Sequence, residues 1–240
     1  MPTQSIHTLQ AKHFVVILTY TLAITLFAAI GIHAQQLQKG VSVQMAVTTS
    51  AASLPDADDN NAWIITITQN GDLYFGIDPM TPEGLSQAMR GRPRIRGQEL
   101  YLKADARVPF SSVKRVLGIA HEDRFGRLFL LTAQPSGSKA PGSKAGTMVS
   151  PKGLPVWVSE SSAAPVIIKI SAGQGSPTLQ INDERIPLNA LQDKLEQLLD
   201  DQDDRVVVLQ TGSVPFADVA HVVDVCHMSD ARCVVGMPEL

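Results

Sequence analysis

The stretch Leu100-Tyr-Leu-Lys-Ala-Asp-Ala-Arg-Val-Pro-Phe110 predicts a strand followed directly by a helix. Residue character alternates over positions 99–104, which is typical of a β-strand because successive side chains point to opposite faces. Pro109 suits the start of a helix. Apolar residues then recur at helical spacing, at Val113, Val116, Leu117 and Ala120. We therefore expect a helix that buries one face against a sheet.

The tripeptide Val108-Pro109-Phe110 recurs 106 residues later as Val214-Pro215-Phe216. Further pairs match at the same offset: Val113 with Val219, Val116 with Val222, Leu117 with Val223, His121 with His227, Leu128 with Val234, and Leu85 with Leu191. We interpret this register as a tandem duplication of one domain.

Each copy shows the same order of patterns, β-β-α-β-α-β. In the first copy a hairpin over residues 63–75 turns at Asn70-Gly71, and Thr81-Pro82 begins a helix. In the second copy the hairpin covers residues 166–181, and a leucine stripe follows. The prediction is an α+β fold of two small domains, each a sheet covered on one face by two helices. We expect the strand over residues 63–68 to be an exposed edge to which a partner adds a strand.

Residues 14–32 contain no charge over nineteen positions, a length that reaches about 28 Å as a helix and spans a bilayer. Lys12 precedes this run, which favours a cytoplasmic N-terminus and a periplasmic remainder. The alternative is a signal peptide cleaved after Ala34. Both interpretations imply export.

The predicted organisation has six parts. They are a cytoplasmic tail (1–13), a transmembrane helix (14–34), a linker (35–61), a first domain (62–134), a Gly/Ser/Pro linker (135–162) and a second domain (163–240).

Composition excludes several classes of function. A net charge of −3 and a pI near 6.0 disfavour a nucleic-acid partner. The sequence shows no metal-ligand spacing, phosphate loop or nucleophile elbow, so we expect no cofactor, no metal and no enzymatic activity. Cys226 and Cys233 form either a disulfide, which suits an exported domain, or two small buried thiols.

The apolar span, the linker and the string from Leu100 to Phe110 together resemble the ExbD/TolR family of biopolymer transport proteins. Leu54-Pro55 is similar to the Leu-Pro step of that family. The resemblance covers residues 14–133 and, more loosely, residues 165–236, where Gln210-Thr211 replaces the Ala104-Asp105 pair.

The resemblance implies a single-pass inner-membrane subunit of a transport complex driven by the proton-motive force. Its implied partners are a multi-span ExbB/TolQ-like subunit, a TonB/TolA-like transducer and a second copy in a homodimer. Asp105 occupies the Ala-Asp position of the family. From its place before a helix we expect Asp105 to be exposed and to cap that helix or accept backbone N–H groups.

The predicted span lacks the aspartate that carries protons in the family. Its polar side chains are hydroxyls, at Thr19, Tyr20, Thr21 and Thr25. Such hydroxyls commonly bond to a carbonyl one turn earlier in the helix. Protons would then pass through a hydroxyl-lined or water-filled path in the partner, or the chain would be a degenerate subunit retained for assembly or peptidoglycan attachment. The alternative is an exported envelope binding or structural protein that uses the same fold with no motor role.

Overall fold

The structure is a computed structural model that describes residues 41–95, 97–134, 150–159, 166–173 and 176–237. The predicted tail and transmembrane helix, residues 1–34, lie outside the described residues. Within the described residues, no helix combines the length and the apolar character needed to cross a membrane.

The described residues contain twelve strands and four α-helices. The strands are β1 (Ala52–Ser53), β2 (Trp63–Ile67), β3 (Leu73–Phe75), β4 (Asp78–Met80), β5 (Leu100–Ala104), β6 (Arg127–Thr132), β7 (Lys152–Ser159), β8 (Val166–Ser171), β9 (Thr178–Ile181), β10 (Glu184–Ile186), β11 (Val206–Thr211) and β12 (Arg232–Gly236). The helices are α1 (Pro82–Gly91), α2 (Phe110–Glu122), α3 (Leu191–Leu199) and α4 (Phe216–Met228). Short 3-10 turns cover Pro55–Asp58 and Leu188–Ala190.

All twelve strands belong to one sheet, in the order β10-β9-β8-β11-β12-β7-β6-β5-β2-β3-β4, with β1 paired to β7. The mixed α+β class is confirmed. The structure differs from the predicted pair of separate domains, because both sets of elements lie in one sheet and share one core cluster. We call β2 to β6 with α1 and α2 the first half, and β8 to β12 with α3 and α4 the second half.

Each half contains a third antiparallel strand that was not predicted. β4 pairs with β3, and β10 pairs with β9. The β9–β10 turn places Asn182 and Asp183 at φ 48° and 74°. Two successive left-handed residues are typical of the tight hairpin turn that suits the twist of paired strands. Each half therefore has a three-stranded antiparallel meander on its outer side in the sheet.

Strand β2 lies inside the sheet and not at its edge. It pairs with β3 on one side and with β5 on the other, and all five of its residues are buried. The prediction that residues 63–68 offer an exposed edge is wrong. The outer strands of the path are β4 and β10.

Strand β7 joins the two halves, although its residues were assigned to the linker 135–162. It runs antiparallel to β6 and parallel to β12. Leu154, Val156 and Val158 alternate into the core. Gly153 allows close packing, since a Cβ there would lie 2.7 Å from both the Leu130 carbonyl oxygen and Leu54 Cδ1. Residues 135–149 and 160–162 of that linker lie outside the described residues.

The described part of the first predicted linker, residues 41–61, packs against the sheet. We call residues 44–54 the strap. Thr48 donates its N–H to Ala133 O at 2.9 Å, and β1 pairs with β7. Leu54 and Ala57 are buried with Ile64, Tyr101 and Leu131, on the sheet face opposite the main core. This segment therefore covers the face that the helices leave open in the first half.

The predicted helical stripes are confirmed as core. α2 buries Val113, Val116, Leu117 and Ala120, and α4 buries Val219, Val222, Val223 and Cys226. The offset of 106 does not extend to the last strands. Leu128 belongs to the main core, whereas Val234 does not, and the core residues of β12 are Cys233 and Val235. A slip of one residue moves a strand side chain to the other face, so Leu128 corresponds to Cys233.

Candidate functional site

Asp105 lies at the end of β5 and is buried, with its side chain 4% exposed. Its carboxylate accepts hydrogen bonds from Arg107 Nε at 2.9 Å, Arg107 Nη2 at 3.0 Å, Arg107 N at 3.1 Å and Gln44 N at 3.1 Å. The Arg107 side chain contributes most to holding the pKa of Asp105 below its usual value.

The expectation of an exposed helix cap at Asp105 is therefore wrong. No side chain caps the start of α2, which follows Pro109. The carboxylate instead accepts backbone N–H groups, as the other part of the expectation stated. The carboxylate thereby holds Gln44, the first residue of the strap. A second hydrogen bond, from Ala106 N to Gln44 O at 2.7 Å, reinforces this contact.

Cys226 and Cys233 lie together in the core as free, buried thiols. This is the second of the two alternatives drawn from the sequence. The hydrogen bond with Cys226, followed by burial, raises the pKa of the Cys233 thiol. The Cys233 thiol therefore stays protonated at neutral pH.

The membrane hydroxyls Thr19, Tyr20, Thr21 and Thr25 lie outside the described residues. Within the described ranges, no group of three or more His, Cys, Asp or Glu side chains is placed to hold a metal ion.

Asp224 is a buried acid that the sequence reasoning missed. It lies on α4, is 1% exposed, and binds the strap. Its Oδ2 accepts from Thr49 N at 2.8 Å and Thr49 Oγ1 at 3.0 Å, and its Oδ1 accepts from Ser50 N at 2.9 Å and Ser50 Oγ at 2.5 Å.

Burial alone would raise the pKa of Asp224, but the hydrogen bonds from Ser50 and Thr49 outweigh it and lower the pKa. One feature of the sequence could have predicted a buried, bonded Asp224: it is a lone carboxylate among Val222, Val223 and Val225. Buried charges need partners. The partner was 174 residues away in the chain.

A cleft of about 600 Å³ opens at the start of β5 and β6. Its lining comes from the loop after α1 and the loop after α2, and includes Arg94, Ile95, Glu99, Arg124, Phe125 and Arg127. We call it the arginine cleft. Ile95 is 67% exposed at its rim.

Aromatic rings hold the guanidinium groups around the arginine cleft. Arg94 lies 3.7 Å from the centre of the Phe125 ring and donates from Nη2 to Asp123 O at 2.6 Å. Arg92, in the same loop but outside the lining of the cleft, lies 5.3 Å from the Phe75 ring centre and 5.6 Å from that of Trp63. Cations over aromatic faces are stabilised by the ring quadrupole, so these arginines are positioned before any ligand arrives.

Two of the cleft's charges form a pair. Arg127 Nη2 lies 3.1 Å from Glu99 Oε1. Arg124 is exposed and takes a left-handed conformation, with φ 66°. The remaining guanidinium groups can bind a carboxylate in a bidentate manner. The cleft is thus suited to an acidic ligand.

The net charge of −3 concealed this basic region in the sequence. Residues 90–97 read Arg-Gly-Arg-Pro-Arg-Ile-Arg-Gly, with four arginines in eight positions. A local count of charge would have found it, whereas a total over the chain does not.

Comparison with known protein families locates a match in the second part of the chain. Residues 129–234 match the model of the family described as biopolymer transport protein ExbD/TolR. This region is similar to the ExbD/TolR family. The resemblance seen in the sequence is confirmed there, from β6 through β7 to β12. The matched region thus includes most of β6, the connecting strand β7 and the second half as far as the middle of β12.

The match lies on a different part of the chain from the one that the sequence emphasised. The sequence resemblance is tighter over residues 14–133 and looser over residues 165–236, whereas the family match begins at residue 129. The chain has no match among curated proteins and none among solved structures.

Proposed function

We propose that this chain is a membrane-anchored subunit of a transport complex that uses the proton-motive force to energise outer-membrane processes. The observation that carries the proposal is the ExbD/TolR match over residues 129–234. The uncharged run over residues 14–32 supports a single inner-membrane span with the N-terminus in the cytoplasm. The two halves would then lie in the periplasm, where the chain acts by binding and not as an enzyme.

Proteins of the ExbD/TolR family normally work in a complex with ExbB/TolQ and TonB/TolA proteins. We therefore propose that a multi-span ExbB/TolQ-like subunit surrounds the span and that a TonB/TolA-like transducer receives the work. Because residues 14–32 contain no acidic residue and no Lys, Arg or His, the proton relay would belong to the multi-span partner.

The strap supports a mechanical role for the folded halves. It is bonded to Asp105 in the first half and to Asp224 in the second half. Only nine residues, 35–43, separate the predicted transmembrane helix from the strap, so a displacement of the helix beyond the reach of this short connection would pull on both halves together. A tether bonded to one half alone would not couple them in this way.

The proposal is tested by purifying the full chain from membranes in a mild detergent. We expect a larger multi-span subunit to co-purify. A matched variant that replaces residues 14–32 with an unrelated apolar helix should stay in the membrane but lose that subunit. Recovery of a soluble species beginning near Gln35, with no membrane partner, would contradict the proposal.

The second candidate is an exported envelope binding or structural protein with no motor role. It is favoured by the missing membrane carboxylate, since the resemblance implies an aspartate in the span. The two candidates differ in one measurement. A motor subunit would change its crosslinks to the transducer when a protonophore collapses the proton gradient, whereas a structural protein would not.

A further inference from the structure

The loop between the first helix and the next strand has opposite charge in the two halves. In the first half this loop, residues 92–99, carries three arginines and one glutamate. In the second half the equivalent loop, residues 200–205, carries four aspartates and one arginine. The aspartates are Asp200, Asp201, Asp203 and Asp204, and all four are exposed.

The loop between the second helix and the last strand shows the same inversion on the same backbone. Arg124 follows α2 with φ 66°, and Asp230 follows α4 with φ 54°. Arg124 N donates to His121 O at 2.8 Å, and Asp230 N donates to His227 O at 3.1 Å. The two turns are therefore equivalent, and only the charge of the left-handed residue is reversed.

These oppositely charged loops lie at the two opposite ends of the central strands, and not along the outermost strands β4 and β10. We call the two strand-end surfaces the basic edge and the acidic edge. β5 is parallel to β6, and β11 is parallel to β12. β7 is antiparallel to β6 and parallel to β12, so the strands of the two halves run in opposite directions. In each half, the two charged loops lead directly into the N-terminal ends of these strands: β5 and β6 in the first half, and β11 and β12 in the second half. One edge of the sheet is thus basic and the other acidic.

Most of these charges have no partner of opposite charge among the described residues. The ion pairs present are Arg90 with Asp123, Arg127 with Glu99, and Arg232 with Asp204. Within the part of the chain that the structure describes, Arg92, Arg94 and Arg124 make no ion pair with a carboxylate, and neither Asp201 nor Asp230 makes one with a cation. Each edge therefore retains a local field of one sign.

We propose that the acidic edge of one copy of this chain docks in the arginine cleft of a second copy. The four aspartates of the acidic loop are exposed, whereas the basic edge is concave, with a cleft of about 600 Å³. Guanidinium groups held over aromatic rings are ready to bind carboxylates in a planar, bidentate manner. A second copy is the occupant that the charges favour, because the complementary surface occurs on the same chain.

The contact is heterologous, since each copy uses two different surfaces. Such a contact leaves one basic and one acidic edge free at the ends of an assembly, and it builds rows or rings. Copies anchored in one membrane would form a row of periplasmic sheets. This inference does not depend on a motor role.

A pair of charge-reversal variants of the full chain in detergent tests the docking. Arg92→Asp with Arg124→Asp cancels the positive excess of the basic edge, and Asp201→Arg with Asp230→Arg cancels the negative excess of the acidic edge. We expect each variant alone to lose self-capture in a tagged pull-down by at least about tenfold. A mixture of the two should recover it, because one native acidic edge then meets one native cleft.

Salt and a control variant complete the test. Capture of the wild-type chain should fall as NaCl rises from about 50 mM to about 500 mM, since exposed charges are screened over a few ångströms at high salt. Glu83→Arg with Asp193→Arg changes the charge by the same amount as the second variant, at the first turns of α1 and α3, and should leave capture unchanged. Equal capture in all combinations, or no recovery in the mixture, would overturn the proposal. So would capture of acidic peptides or anionic polymers by the cleft in place of a second copy.

Discussion

Pro109 and Pro215 lie opposite each other in an antiparallel bridge between the two halves. Phe110 N donates to Val214 O, and Phe216 N donates to Val108 O, each at 2.8 Å. Proline has no N–H to donate, so its neighbours supply these bonds. The relationship is reciprocal, like a contact at a two-fold axis. The repeated tripeptide therefore joins the halves as well as beginning two helices.

The shared sheet predicts that the two halves unfold together. Leu117→Ala in the first half and Leu195→Ala in the second should each lower the free energy of unfolding by about 2–5 kcal/mol, because both side chains are fully buried. Either change should speed hydrogen exchange in β2 and in β8 alike. Glu196→Ala, at an exposed position of α3, is the control. Faster exchange in the mutated half alone would show two independent domains.

Removal of the Asp224 carboxylate should release the strap. Asp224→Ala removes the acceptor of four hydrogen bonds and should cost about 2–4 kcal/mol of stability, since bonds to a buried charge are the stronger ones. Hydrogen exchange of the Thr49 and Ser50 amides measures the release. Asp218→Ala on the same helix is the matched control. Equal protection of these amides in both variants would contradict the role of Asp224.

The two acids that hold the strap should make the protein sensitive to acid. Asp105 and Asp224 both have a lower pKa in the folded chain than when unfolded. Their stabilisation is complete above the unfolded pKa, about 3.9, and is lost as the pH falls through the folded value. Urea unfolding should show constant stability above about pH 5 and a steep decline below about pH 4. The double variant Asp105→Asn with Asp224→Asn should flatten that decline, and an unchanged slope would refute the assignment.

The cysteines should react with thiol reagents only after unfolding. Cys226 and Cys233 are buried, and the pKa of Cys233 is raised, so neither provides an accessible thiolate. Without reductant, the native chain should stay unlabelled at about pH 8, and the denatured chain should release two thiols. Two labelled thiols in the native state would contradict this burial, and none in the denatured state would indicate a disulfide.

Patterns within one element were sufficient to predict the helices. The stripes on α2 and α4 depend only on residues three and four positions apart, and their burial agrees with the prediction. Strand pairing was harder to predict, because Leu128 and Val234 occupy the same offset yet face different sides of the sheet. An error of one residue in aligning the two halves matters more in a strand than in a helix, because the side chains of a strand alternate between faces at every residue.

The candidate sites depended on contacts between distant parts of the chain. Asp105 was noticed in the sequence, but its burial results from the strap and Arg107. Asp224 and the arginine cleft were missed, since each combines groups from separate elements. β7 was assigned to a linker because low-complexity residues precede it, although its own alternation is typical of a strand.

The sequence by itself determined the helix faces, the hairpins and the resemblance to the ExbD/TolR family, because each of these depends on short-range periodicity or on a contiguous string. Only the tertiary structure decided that β7 and the Pro109–Pro215 bridge unite the halves in one sheet. It also decided that the strap is bound at Asp224 and that opposite charges lie at opposite edges. These features arise from hydrogen bonds and strand directions between segments far apart in the chain, which local patterns do not encode.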